Sequence, residues 1–181
     1  DDLGRVTGII TPDPDQSGFL PRLATRTTYN DDGQVTKTEN GRVTGTSATS
    51  LAGMTVDTVF ETEYDAFGRV ETTSQVSTNG ANRYSLMQYG YDYAGRLQCT
   101  ALRMNVTSTS TSLPSACTTM TATSGNDDRI SRRYYDKADR VTQVWSAFDT
   151  PLAQQSAQMS YNDNGTLAWV EDANNNRTKY T

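Results

Sequence analysis

The sequence has no histidine, and its 181 residues include only two cysteines, two tryptophans and five prolines. Without histidine there is no Ser-His or Cys-His dyad, and the commonest metal ligand is missing. The apolar runs are too short for a transmembrane helix. There are 16 basic and 21 acidic residues, which give a net charge of −5. A chain with this charge does not attract the phosphates of nucleic acid. We therefore expect a protein that is not an enzyme and has no catalytic residues, cofactor, metal site, nucleic-acid partner or membrane span.

Threonine, valine and tyrosine are abundant, and turn-forming residues (Gly, Asn, Asp and Ser) recur along the whole chain. Such a composition favours short β-strands over helices. Large or β-branched residues alternate with polar residues, as from Val56 to Tyr64, and no apolar stripe of helical period is sustained. The sequence therefore predicts an all-β fold of half-buried strands.

A short motif recurs along the chain. It is complete in Tyr64-Asp65-Ala66-Phe67-Gly68-Arg69, followed by Val70, and in Tyr91-Asp92-Tyr93-Ala94-Gly95-Arg96, followed by Leu97. Degenerate copies begin at Asp1, Tyr29, Tyr135 and Tyr161, and the tyrosines are separated by 35, 27, 44 and 26 residues. The residues that define the repeat are Tyr29, Gly33, Tyr64, Asp65, Gly68, Arg69, Tyr91, Asp92, Gly95, Arg96, Tyr135, Asp136, Arg140, Tyr161 and Gly165.

The motif has the chemistry of a tight turn between two antiparallel strands. Its Asp or Asn can accept hydrogen bonds from the amides that follow, and its Gly can adopt the positive φ of a turn with a bulge. Between copies lie further turn signals. We expect turns at Asn40-Gly41 and at Asn79-Gly80, the latter as a two-residue hairpin loop. Each repeat is therefore predicted to be one β-hairpin.

The recurrent Tyr-Asp-x-x-Gly-Arg-Val/Leu unit resembles the YD repeats of the Rhs family, which are shared with shell subunits of bacterial insecticidal toxin complexes and with teneurin ectodomains. The resemblance covers nearly all of residues 1–181. It implies antiparallel β-hairpin repeats that form a long curved sheet, a segment of a β-shell around a toxic C-terminal passenger. An Asp-Pro-x-Gly-Leu self-cleavage motif and a trailing toxin sequence are absent, so we expect a stretch of shell wall.

The same resemblance implies an exported bacterial protein, secreted or at the cell surface. Its partners would be the neighbouring repeats of the parent chain and the enclosed passenger. Sheet edges at 1–10 and 176–181 are expected to mediate self-association. The alternative is an adhesion or carbohydrate-binding module, in which the tyrosine rings stack on sugars instead of forming a ladder in the core. The repeat arginines, together with Arg42, are predicted to form cross-strand ion pairs.

The interval from Tyr91 to Tyr135 is abnormally long because it holds a Ser/Thr-rich tract at 105–120. We interpret 99–128 as a loop insertion in the repeat array. The Ser/Thr-rich tract is expected to be an exposed loop, poorly ordered between the two cysteines. The only cysteines, Cys99 and Cys117, bracket most of the tract. We predict that they form a disulfide, which would contribute about 3 kcal/mol in the chain-entropy model; two free buried thiols are the alternative.

Overall fold

The computed structural model describes residues 1–16, 20–104, 106, 108, 112–120 and 127–180. Over this part of the chain the protein is almost entirely β-structure. One short helix, α1 (Ala48–Ala52), begins after Ser47, whose hydroxyl oxygen accepts a hydrogen bond from the backbone N–H of Ser50. The strands are β1 (Gly8–Ile10), β2 (Arg22–Tyr29), β3 (Val35–Val43), β4 (Thr55–Tyr64), β5 (Val70–Val76), β6 (Arg83–Tyr91), β7 (Leu97–Leu102), β8 (Arg129–Tyr135), β9 (Val141–Ser146), β10 (Gln154–Tyr161), β11 (Leu167–Asp172) and β12 (Arg177–Lys179).

The strands follow one another in a single sheet in chain order, from β1 to β12. The pairs with a described register are antiparallel, so consecutive strands form an up-and-down meander. Each hairpin that contains the repeat motif has a register shift at its tyrosine, as between Glu63 and Tyr64 and between Gly90 and Tyr91. These shifts are the bulges that a positive-φ turn residue requires. The prediction of an all-β fold built from antiparallel hairpins is confirmed.

The chain divides into two compact units, one made of Asp1–Leu86 with Thr107–Ser110 and the other of Met87–Val106 with Thr111–Thr181. The first unit buries a small cluster of Ala24, Val43 and Met54, with Leu51 of α1 packed against it. The second buries Cys99, Ala101, Ala116 and Ile130, with Cys117 and Phe148 packed against them. Val59, Val76 and Leu86 are also buried, outside these two clusters.

Of the two further turns that the sequence predicts, one is wrong and the other is present but longer than predicted. Asn40-Gly41 lies inside β3, where the register with β4 shifts. Glycine is needed there because a Cβ on Gly41 would collide with the backbone carbonyl of Thr55. Asn79-Gly80 is not a two-residue loop, since the backbone N–H of Ser77 donates to the carbonyl of Asn82, which closes a longer turn.

No helix in the described residues combines the length and the hydrophobicity needed to cross a lipid bilayer.

Candidate functional site

The repeat motif forms the same turn at each complete copy. In the turn that follows β4, the backbone N–H of Asp65 donates to the carbonyl of Arg69, and the N–H of Gly68 donates to the carbonyl of Asp65. The motif glycines have positive φ: 76° at Gly4, 81° at Gly33, 75° at Gly68, 82° at Gly95 and 87° at Gly165. The turn geometry deduced from the sequence is therefore present in the structure.

The motif aspartate binds its own turn at several points. One carboxylate oxygen of Asp65 accepts hydrogen bonds from the backbone N–H groups of Phe67 (2.9 Å) and Arg69 (3.0 Å). Its other oxygen accepts from Nε of Arg69 at 2.7 Å. Equivalent carboxylate–guanidinium pairs, four residues apart, join Asp1 to Arg5, Asp92 to Arg96 and Asp136 to Arg140.

These contacts change the acidity of the aspartates. The hydrogen bond from the Arg69 guanidinium lowers the pKa of Asp65, and that from Arg96 lowers the pKa of Asp92. At Asp136 the hydrogen bond from the backbone N–H of Arg140 has the largest effect and again lowers the pKa. Carboxylates held ionised in this way serve as turn anchors, and their lone pairs are already used within the turn.

At four copies of the motif, the tyrosine links its hairpin to the preceding repeat. The hydroxyl of Tyr64 donates to the backbone carbonyl of Val35 at 2.9 Å, and Val35 is the first residue after the preceding motif turn. The same relation appears at further copies: Tyr29 to Val6, Tyr135 to Leu97 and Tyr161 to Val141, at 2.7–2.8 Å. The tyrosines are half-buried, and their polar ends lie on backbone acceptors.

The motif arginine reaches forward to the next repeat. The Arg96 guanidinium lies over the Tyr135 ring, 4.6 Å from its centroid, and its Nη1 donates to the backbone carbonyl of Asp136 at 3.1 Å. Arg5 stacks on Tyr29 at 4.7 Å, and Arg140 stacks on Tyr161 at 4.5 Å. We call this arrangement the inter-repeat clasp: a Tyr hydroxyl on the preceding carbonyl and a preceding Arg over the Tyr ring.

Degenerate copies keep the contacts of the turn, or the link to the next turn, through other residues. Gln34 stands where the motif has Arg, and its Nε2 still donates to the backbone carbonyl of Gly68 in the next turn, at 2.7 Å. Asp139 stands where the motif has Gly and adopts a φ of 62°. Thr166 replaces the arginine of the Tyr161 copy, and its hydroxyl bonds within its own turn, to Asn162 and Asn164.

The predicted cross-strand ion pair is present at Arg42, whereas each repeat arginine pairs first with the aspartate of its own turn, so that part of the prediction is wrong. Arg42 of β3 forms a two-pronged pair with Asp57 of the neighbouring β4, at 2.9 and 2.7 Å. Arg5, Arg69, Arg96 and Arg140 pair with the aspartate of their own turn, and Arg96 alone of these four also has a described ion pair with the next hairpin, to Asp139 at 2.6 Å. The sequence spacing of four residues suffices for the pair within each turn because the turn folds the arginine back beside the aspartate.

The structure joins Cys99 of β7 to Cys117 of the insertion by a disulfide, with their Cα atoms 5.3 Å apart. Residues 112–120 form no strand or helix, and Ser112, Ser115 and Thr118 are exposed as predicted, but the prediction of exposure is wrong at Ala116 and its neighbours, which pack against the sheet. Ala116 is buried, and the amide Nε2 of Gln88 donates to the carbonyl of Pro114 at 2.9 Å. Residues 105, 107, 109–111 and 121–126 of the insertion lie outside the described residues.

A fully buried ion pair holds the insertion. The guanidinium of Arg103, just after β7, donates to the carboxylate of Asp128, just before β8, at 2.7 Å, and neither side chain is exposed. Arg103 also donates to the Gln88 side chain and to the backbone carbonyls of Ser115 and Thr118. Asp128 accepts further bonds from the backbone N–H groups of Met104 and Met120.

Sequence reasoning missed this pair. Arg103 and Asp128 are separated by 25 residues, and both are residue types usually found at the surface. The only signal is their position at the two ends of the insertion, beside the strands that flank it. Their pairing depends on the antiparallel register of β7 with β8, which brings Leu102 opposite Arg129.

No protein-family model matches the chain, and no curated protein matches it. Among solved structures it is similar to a chain of the Photorhabdus luminescens Tc holotoxin pore, with 14% identity over 84% of this chain and a TM-score of 0.43. It is also similar to a chain of the TcdB2-TccC3 structure, with 17% identity over 82% of this chain and a TM-score of 0.38. The matches span 9% and 8% of those chains.

Proposed function

We propose that this chain is a segment of YD-repeat wall in an exported bacterial protein, and that the wall encloses a passenger domain. The observation that carries the proposal is the inter-repeat clasp, as where Tyr135 bonds to the carbonyl of Leu97 and lies under Arg96. Each clasp joins one hairpin to the next, so adding repeats lengthens the sheet without new chemistry. A continuous sheet with paired backbone groups is a barrier suited to keeping a cargo from solvent and proteases.

The clasp also argues for a wall over the carbohydrate-binding alternative. Sugar recognition by aromatic residues needs an accessible ring face. At Tyr29, Tyr135 and Tyr161 a guanidinium lies 4.5–4.7 Å from the ring centroid, and each hydroxyl is bonded to a backbone carbonyl. These three tyrosines thus use one ring face and the hydroxyl in contacts within the sheet. The disulfide between Cys99 and Cys117 suits an exported chain.

Limited proteolysis of the parent chain with its passenger tests the proposal. We expect the passenger to resist cleavage in the wild type and to be digested when Arg96→Ala and Arg140→Ala remove the arginine contacts of two clasps. Lys137→Ala, an exposed change in the same turn, is the matched control and should leave the passenger protected. A passenger cleaved equally fast in all three proteins would overturn enclosure, and binding of this chain to a glycan array would favour the adhesion alternative.

A further inference from the structure

Residues 115–118 form a turn that carries Cys117 onto the sheet. The backbone N–H of Thr118 donates to the carbonyl of Ser115 at 2.9 Å, and the N–H of Cys117 donates to the hydroxyl oxygen of Ser115 at 3.3 Å. Both hydrogen bonds lie within the turn, so they define its shape without the bond between the sulfur atoms. We call residues 115–118 the cysteine turn.

One buried guanidinium holds both ends of the cysteine turn. Arg103 donates through Nη2 to the carbonyl of Ser115 at 2.8 Å and through Nη1 to the carbonyl of Thr118 at 2.7 Å. The same guanidinium pairs with Asp128, and neither of these two side chains is exposed to solvent. Hydrogen bonds from a charged donor are strong, and the planar guanidinium fixes their directions. Carbonyls before and after Cys117 are therefore held close to the end of β7.

The sheet leaves room for the cysteine turn at a glycine. Gly90 of β6 is paired with Cys99 of β7, and a Cβ added at Gly90 would lie 3.1 Å from the Cβ of Ala116. Ala116 is 2% exposed and belongs to the same buried cluster as Cys99. Because buried side chains are closely packed, a larger residue at position 90 would take the space of the Ala116 methyl group.

The insertion is also attached on either side of the cysteine turn. Before the turn, Nε2 of Gln88 donates to the carbonyl of Pro114 at 2.9 Å. After the turn, the backbone N–H of Met120 donates to the carboxylate of Asp128 at 2.9 Å. These hydrogen bonds tie the segment to β6 and to the start of β8, and they involve no sulfur atom.

We infer that these contacts dock the cysteine turn on the sheet in the reduced chain and bring Cys117 to Cys99, so that oxidation follows docking. The insertion then has two attachments that work under different conditions. The buried pair of Arg103 and Asp128, with its hydrogen bonds, holds in reducing and oxidising surroundings alike. The disulfide is added where an oxidant is present. Docking in the reduced chain does not depend on the proposed wall function.

The closing reaction is an exchange with a small-molecule disulfide such as oxidised glutathione. Cys99 is fully buried and Cys117 is only partly buried, so the Cys117 thiolate attacks the oxidant. This step forms a mixed disulfide and releases one glutathione thiolate. The Cys99 thiolate then attacks the Cys117 sulfur, which forms the protein disulfide and releases the second glutathione thiolate. The two thiolates take up the two protons lost by the cysteines, and the oxidant gains the two electrons.

Docking before oxidation gives each thiol a high effective concentration at the other. A flexible linker gives effective concentrations in the millimolar range. Groups that the fold holds in position reach far higher values. The equilibrium between the reduced and oxidised chain in a buffer of reduced and oxidised glutathione measures this quantity, and we expect a value well above the millimolar range.

The first test uses the wild-type chain. Hydrogen exchange of the Met120 amide is compared in the oxidised chain and in the chain reduced with a phosphine. Because this N–H donates to the buried Asp128, we expect the reduced chain to exchange it at least about tenfold more slowly than an unstructured peptide does. Exchange at the unstructured rate would mean that the disulfide alone holds the turn, and it would overturn the inference.

The second test measures the effective concentration of the thiols in variants. Arg103→Met removes the guanidinium, and Gly90→Val fills the space of Ala116 but keeps the pair of Arg103 and Asp128. Each variant should lower the effective concentration at least about tenfold, which corresponds to about 1.4 kcal/mol. Arg140→Met is the matched control and should leave it unchanged, because Arg140 of the same unit contacts its own turn and Tyr161.

Gly90→Val keeps the second test decisive if Arg103→Met does not fold, since valine suits a β-strand. Effective concentrations equal to that of the wild type in the folded variants would overturn the inference. A similar loss in Arg140→Met would also overturn it, because the effect would then reflect a general loss of stability.

Discussion

The hydroxyl of Tyr135 donates a hydrogen bond of 2.7 Å to the backbone carbonyl of Leu97, 38 residues earlier in the chain. Leu97 directly follows Arg96, whose guanidinium covers the Tyr135 ring. One turn therefore presents both the acceptor and the cation to the tyrosine of the next repeat. Arg96 therefore contacts both the aspartate of its own turn and the tyrosine of the next repeat.

Tyr135→Phe removes one clasp hydrogen bond and leaves the ring in place. We expect a loss of about 0.5–1.5 kcal/mol in the free energy of unfolding, the net value of one such bond. The matched control is Tyr93→Phe, since Tyr93 is fully exposed, and it should change stability by less than about 0.5 kcal/mol. Urea unfolding of both variants measures the difference, and equal losses would contradict a role for the clasp bond.

Gly68→Val forces a β-branched side chain onto a backbone with a φ of 75°. We expect destabilisation by about 1–2 kcal/mol or more from the backbone strain. Ala66→Ser, at an exposed position two residues earlier in the same turn, should have little effect. Thermal melting of the two variants provides the measurement, and similar shifts in Tm for both would refute the turn assignment.

Arg103→Met breaks a fully buried ion pair and leaves Asp128 without its cation. Because an uncompensated buried charge remains, we expect destabilisation by about 3–5 kcal/mol. Arg42→Met breaks the half-exposed pair with Asp57 and should destabilise the protein much less, because exposed ion pairs contribute little to stability. Urea unfolding of both variants measures the two changes in the free energy of unfolding. A small effect of Arg103→Met would mean that the disulfide alone holds the insertion.

Acid should weaken the repeat turns. The hydrogen bonds that Asp65, Asp92 and Asp136 accept lower their pKa values in the folded protein. The contribution of these bonds to the free energy of unfolding is complete above the aspartate pKa of the unfolded chain, about 3.9. It is lost as the pH falls through the lower pKa values of the folded protein. Urea midpoints between about pH 6 and pH 2.5 should therefore decline at the acid end. Asp65→Asn should flatten that decline, and an unchanged profile would contradict the assignment.

Self-association through sheet edges is the last prediction. Strands β1 and β12 each have one neighbour in the sheet. The N–H of Tyr180 donates to Ala168 of β11, so by strand alternation the N–H of Lys179 points away from β11. We expect concentration-dependent association in sedimentation velocity, abolished by Lys179→Pro. Lys179→Ala removes the same charge but keeps the N–H, and it should still associate; a wild type that stays monomeric would refute edge pairing.

The sequence by itself determined the all-β class, the hairpin turns and the residues of the repeat. These follow from local rules: alternation at period two, a side-chain acceptor at the start of a turn, and glycine where φ is positive. Asp65 and Gly68 could be assigned because every contact that defines the turn lies within four residues.

Only the tertiary structure decided what the local pattern left open. Asn40-Gly41 has the composition of a turn, yet the approach of Thr55 in the next strand places Gly41 within β3. The hydrogen bond from Arg96 to the carbonyl of Asp136 depends on how closely neighbouring hairpins lie in the sheet. The pairing of Arg103 with Asp128 depends on the register of β7 with β8. The contacts of Arg96 and Arg103 join residues 40 and 25 positions apart in the chain. Residue type alone does not specify a partner at that distance.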